Sequence, residues 1–292
     1  MRTWLTILLL MLAAGSPQQG SHNPEQILAD RLQFSGADIA QARDGQPVVK
    51  MLAAGGRDEF AIAGAIRLPG TKERLSNWVR NVEHFRTSAQ LGVTQVVPIP
   101  PTAAAFAGVP ANENARNTLF GYASAYVTGG NAAVTAYAGP QAPRSFDDDM
   151  RALLQQATTL SALAPELVAF LDGYPKTALA SADQVLYWSA MPGDSESIIS
   201  VHHLVVYHPP GREVWIADKT IYASRYIDAG VIAIGLYDAA DGTGFYAIAG
   251  SRVKASKLGG VAGTLFRRQV ERNGVDTVKT YLEWLRDSLA QP

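Results

Sequence analysis

From Asp183 to Val253 the chain reads as short β-rich runs separated by turn formers. The runs are "DQVLYWSA", "ESIISVHHLVVYH", "REVWIADKTIYASRY", "AGVIAIGLYD" and "GFYAIAGSRV", and "MPGD", "PPG" and "AADGTG" punctuate them. Connections this short join neighbours antiparallel, because a parallel partner needs a crossover of about a dozen residues or more. The pattern predicts an antiparallel meander. Residues 212 to 237 would span roughly 85 Å as one straight strand at about 3.3 Å per residue, so a bend or bulge is expected near Asp228 to Gly230.

Helical spacing takes over at the end of the chain. Val275, Val278, Leu282, Leu285 and Leu289 recur three and four apart, an apolar stripe that must lie against another surface, and the sheet supplies one. Earlier, "NPEQILADRL" offers Asn23 as a cap and Pro24 at the first helical position. "PVVKMLA" (47 to 53) and "EFAIAGAIRL" (59 to 68) read as strands that pair across Gly55-Gly56. Pro69-Gly70 then breaks the strand, and Thr71 caps a helix carrying Leu75, Trp78, Val79, Val82 and Phe85 on one face. A Pro-rich connection (98 to 110) leads to a helix near 112 to 127 and a short strand "AAVTAYA". After Ser145 the acids Asp147 to Asp149 open another helix, where the macrodipole favours negative charge without any metal.

Composition narrows the function classes. With 292 residues and 47% hydrophobic content, the chain is long enough to bury a large core. Its 25 basic residues nearly balance 26 acidic ones, which leaves no electrostatic footprint for nucleic acid. Cysteine is absent, and with it disulfides, thiolate metal sites and a Cys nucleophile. The opening "MRTWLTILLLMLAAGSPQQG" has Arg2, an apolar run from Trp4 to Ala14 and small residues after it, the layout of a secretory signal peptide. That run is far short of the about 20 residues a membrane span requires, so an exported, periplasmic or extracellular protein with no transmembrane segment after signal removal is expected.

A strand, Pro-Gly and an amphipathic helix ("FAIAGAIRLPGTKERLSNWVRNVEHF"), then a long meander closed by one C-terminal helix, resembles the helix-grip fold of START-like lipid-transfer and polyketide-cyclase-like domains. The stretches "DGYP", "LYW" and "YASRY…GFYAIAGSR" are also similar to uncharacterised exported bacterial proteins, which carry no activity over. The resemblance implies an α+β domain with an apolar cavity between the sheet and the C-terminal helix. The expected organisation is a signal peptide (1 to 20), an N-terminal helical extension (21 to 46) and one helix-grip-like domain (47 to 292) with a helical insertion at about 98 to 180.

Side-chain parity decides what lines such a cavity. Phe245, Ala247, Ala249, Ser251 and Val253 share one face, and Tyr246, Ile248, Gly250 and Arg252 the other. Tyr222 and Tyr226 share a face with Ile216, Asp218, Thr220 and Ser224, opposite Trp215, Lys219, Ile221 and Arg225. Either face can be the one against the helix. The small residues Ala229, Ala233, Gly235, Ala247 and Ala249 leave room above the sheet, and a few polar tips in an apolar recess fix a ligand's orientation. The candidate ligand-binding residues are Tyr222, Arg225, Tyr226, His203, Ser251 and Arg252, with Arg225 or Arg252 meeting a polar head.

No metal site or cofactor is expected. His202 and His203 are strand neighbours that point to opposite faces, so they cannot share one ion. G-x-S-x-G, H-E-x-x-H and Walker-type patterns are absent from the sequence, so no residue is assigned to catalysis. The expected function is binding of an apolar or amphipathic, lipid-like small molecule. Two rivals are a hydrolase or cyclase on the same scaffold using His203, Asp218 or Tyr226, and a non-catalytic envelope protein with a solid core.

Overall fold

Eight strands form one antiparallel sheet: β1 (Val48–Met51), β2 (Glu59–Leu68), β3 (Val93–Val97), β4 (Ala182–Met191), β5 (Ile198–Tyr207), β6 (Val214–Ala223), β7 (Ala229–Asp238) and β8 (Phe245–Lys254). Their order across the sheet is β1-β2-β8-β7-β6-β5-β4-β3. The meander β4 to β8 makes up the body, the β1–β2 hairpin extends it beyond β8, and β3 extends it beyond β4. This computed structural model describes residues 22–139, 145–192, 197–211, 213–255 and 260–291, with side chains from 273 onward in the last segment. The expected signal peptide lies outside the described residues.

The helices are α1 (Pro24–Gln26), α2 (Gly36–Arg43), α3 (Lys72–Arg80), α4 (Val82–Ser88), α5 (Glu113–Ala138), α6 (Phe146–Gln156), α7 (Thr158–Leu163), α8 (Pro165–Gly173) and α9 (Gly260–Ala290). They cover both faces of the sheet. On one face Leu282, Leu285 and Leu289 of α9 join Leu75, Val79 and Phe85 of α3 and α4 against Ile66, Ile216, Leu236 and Ala247. On the other, α5 to α8 and the N-terminal segment bury Leu119, Tyr126, Met150 and Phe170 against Trp188, Val205, Trp215 and Ile248. None of the described helices is long and apolar enough to cross a membrane.

Local chemistry accounts for most boundaries. Thr71 Oγ1 accepts the Arg74 amide and starts α3. The one helix expected here is two, because Asn81 (φ −82, ψ 68) leaves helical geometry and its side chain caps α4 by accepting from the His84 amide. Ser145 caps α6, and Asp147 in its first turn pairs with Arg151 at 2.8 Å, so the acidic triplet serves the helix start.

The expected strand "AAVTAYA" is helical and forms the second limb of α5. Its alanines favour the helix, and Val134 is buried in the helical layer. The two limbs meet at Gly130 (φ 67, ψ −150), a backbone geometry reserved for glycine, where a Cβ would run into the Tyr174 carbonyl.

Candidate functional site

Antiparallel register sorts the small residues of the sheet into two rows. Gly64, Ala249, Ile234 and Ile216 lie side by side across β2, β8, β7 and β6 and face α9. The adjacent row, Ala63, Gly250, Ala233 and Ala217, faces the helical layer. The alanines and glycines expected to leave room above the sheet are therefore divided between its faces, Ala247 and Ala249 on one and Ala229, Ala233 and Gly235 on the other, where the Tyr237 ring already fills the space over Gly235.

Beneath α9 this leaves a recess of about 440 Å³. Phe60, Ile62, Phe85, Val278, Tyr281 and Leu282 form much of its wall, and no described lining residue carries a charge. Ser251, Asn273 and Thr277 supply its few polar tips. At Gly64 the helix packs closely on β2, since an added Cβ there would sit 3.2 Å from both Val278 and Leu282. Aromatic rings hold α9 to α3 and α4 on the far side: Trp284 lies 5.2 Å from Trp78 and 5.8 Å from Phe85, and Tyr281 lies 6.3 Å from Phe85. α9 thus rests on β2 at one flank and on α3 and α4 at the other, with the recess between these supports.

Of the six residues singled out by sequence, Ser251 faces this recess. Arg252, its strand neighbour, points to the other face, where Nη1 donates to Glu59 Oε1 at 2.5 Å and Gln156 Oε1 at 3.2 Å. Tyr222 does not share the face of Ile216 and Asp218. A register shift between Val201 and His202 leaves Ile221 as an extra residue in β6, and the Tyr222 ring packs 4.4 Å from Tyr122 of α5. Arg225 and Tyr226 lie beyond the end of β6, in the connection to β7, with Tyr226 at φ 66 and 41% exposed. The bend that breaks the long 212–237 stretch removes both from the sheet.

His203 is fully buried in the helical layer, on the face away from α9. Gln184 Oε1 can only accept, so His203 Nε2–H donates to it at 3.1 Å, and Nδ1 accepts from the Tyr126 hydroxyl at 2.7 Å. Burial, aided by the charge of Lys219, pushes the imidazole down to about 3. Lys219 itself is buried, with Nζ 2.6 Å from both Asn131 Oδ1 and the Leu171 carbonyl and 4.8 Å from the Tyr126 ring centre. Desolvation brings its ammonium down to about 7. These two strand neighbours of the row above are satisfied core groups and line neither recess.

The imidazole on the α9 side is His202. Its Nδ1–H donates to Asp218 Oδ1 at 3.1 Å, and Nε2 accepts from Ser200 Oγ at 2.7 Å. Ser189 Oγ lies 3.1 Å from Ser200 Oγ, Tyr187 donates to Asp218 Oδ2 at 2.5 Å, and the Tyr187 ring stacks on His202 at 4.7 Å. Burial opposes ionisation of Asp218, but its pairing with His202 and the hydrogen bonds from His202 and Tyr187 keep its carboxyl below the ordinary value. The sequence offers His203, Asp218 or Tyr226 as acid or base; the imidazole that Asp218 meets is His202. The i, i+2 spacing of Ser200 and His202 puts them on one face, but their pairing with Asp218 depends on long-range strand register.

No family model and no curated protein matches the sequence. Among solved structures, the di-domain ARO/CYC StfQ from the steffimycin biosynthetic pathway is similar at 14% identity and a TM-score of 0.28, covering 50% of this chain and 46% of that one. Ara h 8.0201 follows at 8% identity and 0.25, over 50% of this chain and 89% of that one. The di-domain ARO/CYC BexL from the BE-7585A biosynthetic pathway stands at 10% and 0.26, over 86% and 76%. This chain spans less than half the length of the first of these. The fold is a helix grip. That statement rests on the meander, the α3–α4 pair and α9 on one face of the sheet, and the similarities carry nothing about activity.

Proposed function

We propose that the chain is an exported binding protein that holds an uncharged, lipid-like small molecule between the sheet and α9. The observation that carries the proposal is the recess of about 440 Å³ with no charged residue among its described lining. Ligand pockets commonly measure about 300–1,000 Å³ and pair apolar walls with a few polar groups. Ser251, Asn273 and Thr277 are those groups here. Export is supported by Arg2 and the apolar run Trp4 to Ala14.

The test is uptake of the neutral dye Nile red by the full chain, together with native mass spectrometry of protein purified from an exporting host. Ala249 directs its methyl into the recess beside Gly64, so Ala249→Phe fills the space. Dye uptake should fall at least roughly tenfold in that variant. Equal uptake by the folded variant and the parent would refute the proposal. N-terminal sequencing of the same preparation checks removal of the leader.

A second reading, acyl-transfer or hydrolytic chemistry, is favoured by the Ser200–His202–Asp218 chain, which has the order of nucleophile, base and orienting acid.

A further inference from the structure

The opposite face of β8 opens on a second recess, of about 310 Å³, between the N-terminal segment, β1, the α6–α7 junction and the sheet. Gly250 and Ala233, paired in the row described above, form the low part of its floor, with Ile248 and Trp215 on one side and Val231 and Arg252 on the other. Gly250 makes the point directly: a Cβ built there meets no atom within 4 Å. Trp215, Ile248 and Leu160 provide apolar walls.

The charge of this recess sets it apart from the one under α9. Arg31, Lys50 and Arg252 all line it, and no described lining residue is acidic. Arg252 is partly neutralised by Glu59 behind it. Lys50 donates to the Gln33 carbonyl at 2.8 Å and lies 4.8 Å from the Phe34 ring centre, with Asp38 as an acid in electrostatic reach. Tyr237, 2% exposed, also lines the recess, and its hydroxyl has no hydrogen-bond partner among the described residues.

We propose that this recess is a second ligand site, for an amphipathic carboxylate whose apolar tail lies over Gly250 and Ala233 and whose head meets Lys50 and Arg252. The site is independent of whatever occupies the recess under α9. Two ligand classes, one neutral and one anionic, would then bind back to back across a single strand.

Strand parity provides the test, with decanoate and 1-decanol as probes of equal tail length titrated into the full chain. Gly250 has an ordinary backbone and open space above it, so Gly250→Leu fills the second recess without strain. Decanoate binding should fall at least roughly tenfold in Gly250→Leu and stay within about twofold in Ala249→Leu. Decanol uptake should show the reverse, which separates failure of this site from failure of the α9 site. Lys50→Gln should weaken decanoate several-fold while leaving decanol unchanged. Decanoate affinity unaltered in Gly250→Leu and Lys50→Gln, or lost in Ala249→Leu alone, overturns the proposal.

Discussion

Lys219 holds its ammonium nitrogen 2.6 Å from the side-chain oxygen of Asn131, inside a layer where neither residue meets solvent. Burial disfavours the charged form, and the more distant carboxylates Asp172 and Asp147 recover only part of the loss, so the group titrates at about 7 instead of 10.5. Between those values the unfolded chain binds a proton that the folded chain does not. Stability must therefore rise as pH increases from about 7 toward 10.5, by roughly a few kcal/mol, and the gain is absent below the folded value. Urea unfolding at about pH 7 and pH 9 measures the slope. Lys219→Met should flatten it, and a slope that survives the substitution would assign the effect elsewhere.

His203 produces the corresponding effect on the acid side. Its folded value of about 3 lies below the ordinary 6.5, so the neutral ring contributes stability above 6.5 that is lost as pH falls toward 3. Carboxylates add their own acid slope, so the measurement is a difference between parent and His203→Gln, whose slope between pH 6.5 and about 4 should be shallower. Tyr126→Phe removes the donor to Nδ1 and should cost about 1–3 kcal/mol at neutral pH, as expected for a buried acceptor left unpaired. A neutral effect of Tyr126→Phe on the unfolding midpoint would contradict this hydrogen-bond assignment.

Ser200 offers a direct check on the hydrolytic reading. It is 3% exposed, with its hydroxyl held by His202 Nε2. If the chain acts as a nucleophile relay, a small fluorophosphonate will modify Ser200 with release of fluoride, and peptide mass spectrometry will locate the adduct. Asp218→Asn disturbs the tautomer that leaves Nε2 as the acceptor, and it should slow labelling by at least roughly a hundredfold. Absence of any adduct would identify Ser200, His202 and Asp218 as a buried polar network that pins β5 to β6.

The strands were legible because each signal was local: alternation in "EFAIAGAIRL" and turn formers between the later runs recovered β2 and the meander. The α9 stripe at Val278, Leu282, Leu285 and Leu289 was legible for the same reason. Facing was legible only where parity stayed unbroken. Along β8 it separated Ser251 from Arg252 correctly, whereas the register shift opposite His202 sent Tyr222 to the other side. Which face met α9 depended on strand order, which no single strand encodes. "AAVTAYA" was misread because its alternation fits a strand as well as a buried helix, and the Gly130 break concealed that the helix resumes. The second recess had a signal in sequence, the run of small residues at Ala233 and Gly250, but only cross-strand register showed that they adjoin.

Trp284 ties the described end of α9 to the rest of the α9-side layer. Its ring lies 5.2 Å from Trp78, 5.8 Å from Phe85 and 5.5 Å from Tyr281. Tyr281 and Phe85 also line the recess, so the clasp and the recess share a wall. Trp284 is only half-buried, and Trp284→Ala should cost about 2–3 kcal/mol, below the usual range for a fully buried tryptophan. Loss of the clasp also frees α9 to close onto the sheet, which should weaken Nile red uptake more than heat stability alone explains. Calorimetry and dye titration on the same preparation separate the two effects. If Trp284→Ala lowers the unfolding midpoint yet binds dye as tightly as the parent well below that midpoint, the clasp supports the fold without holding the recess open.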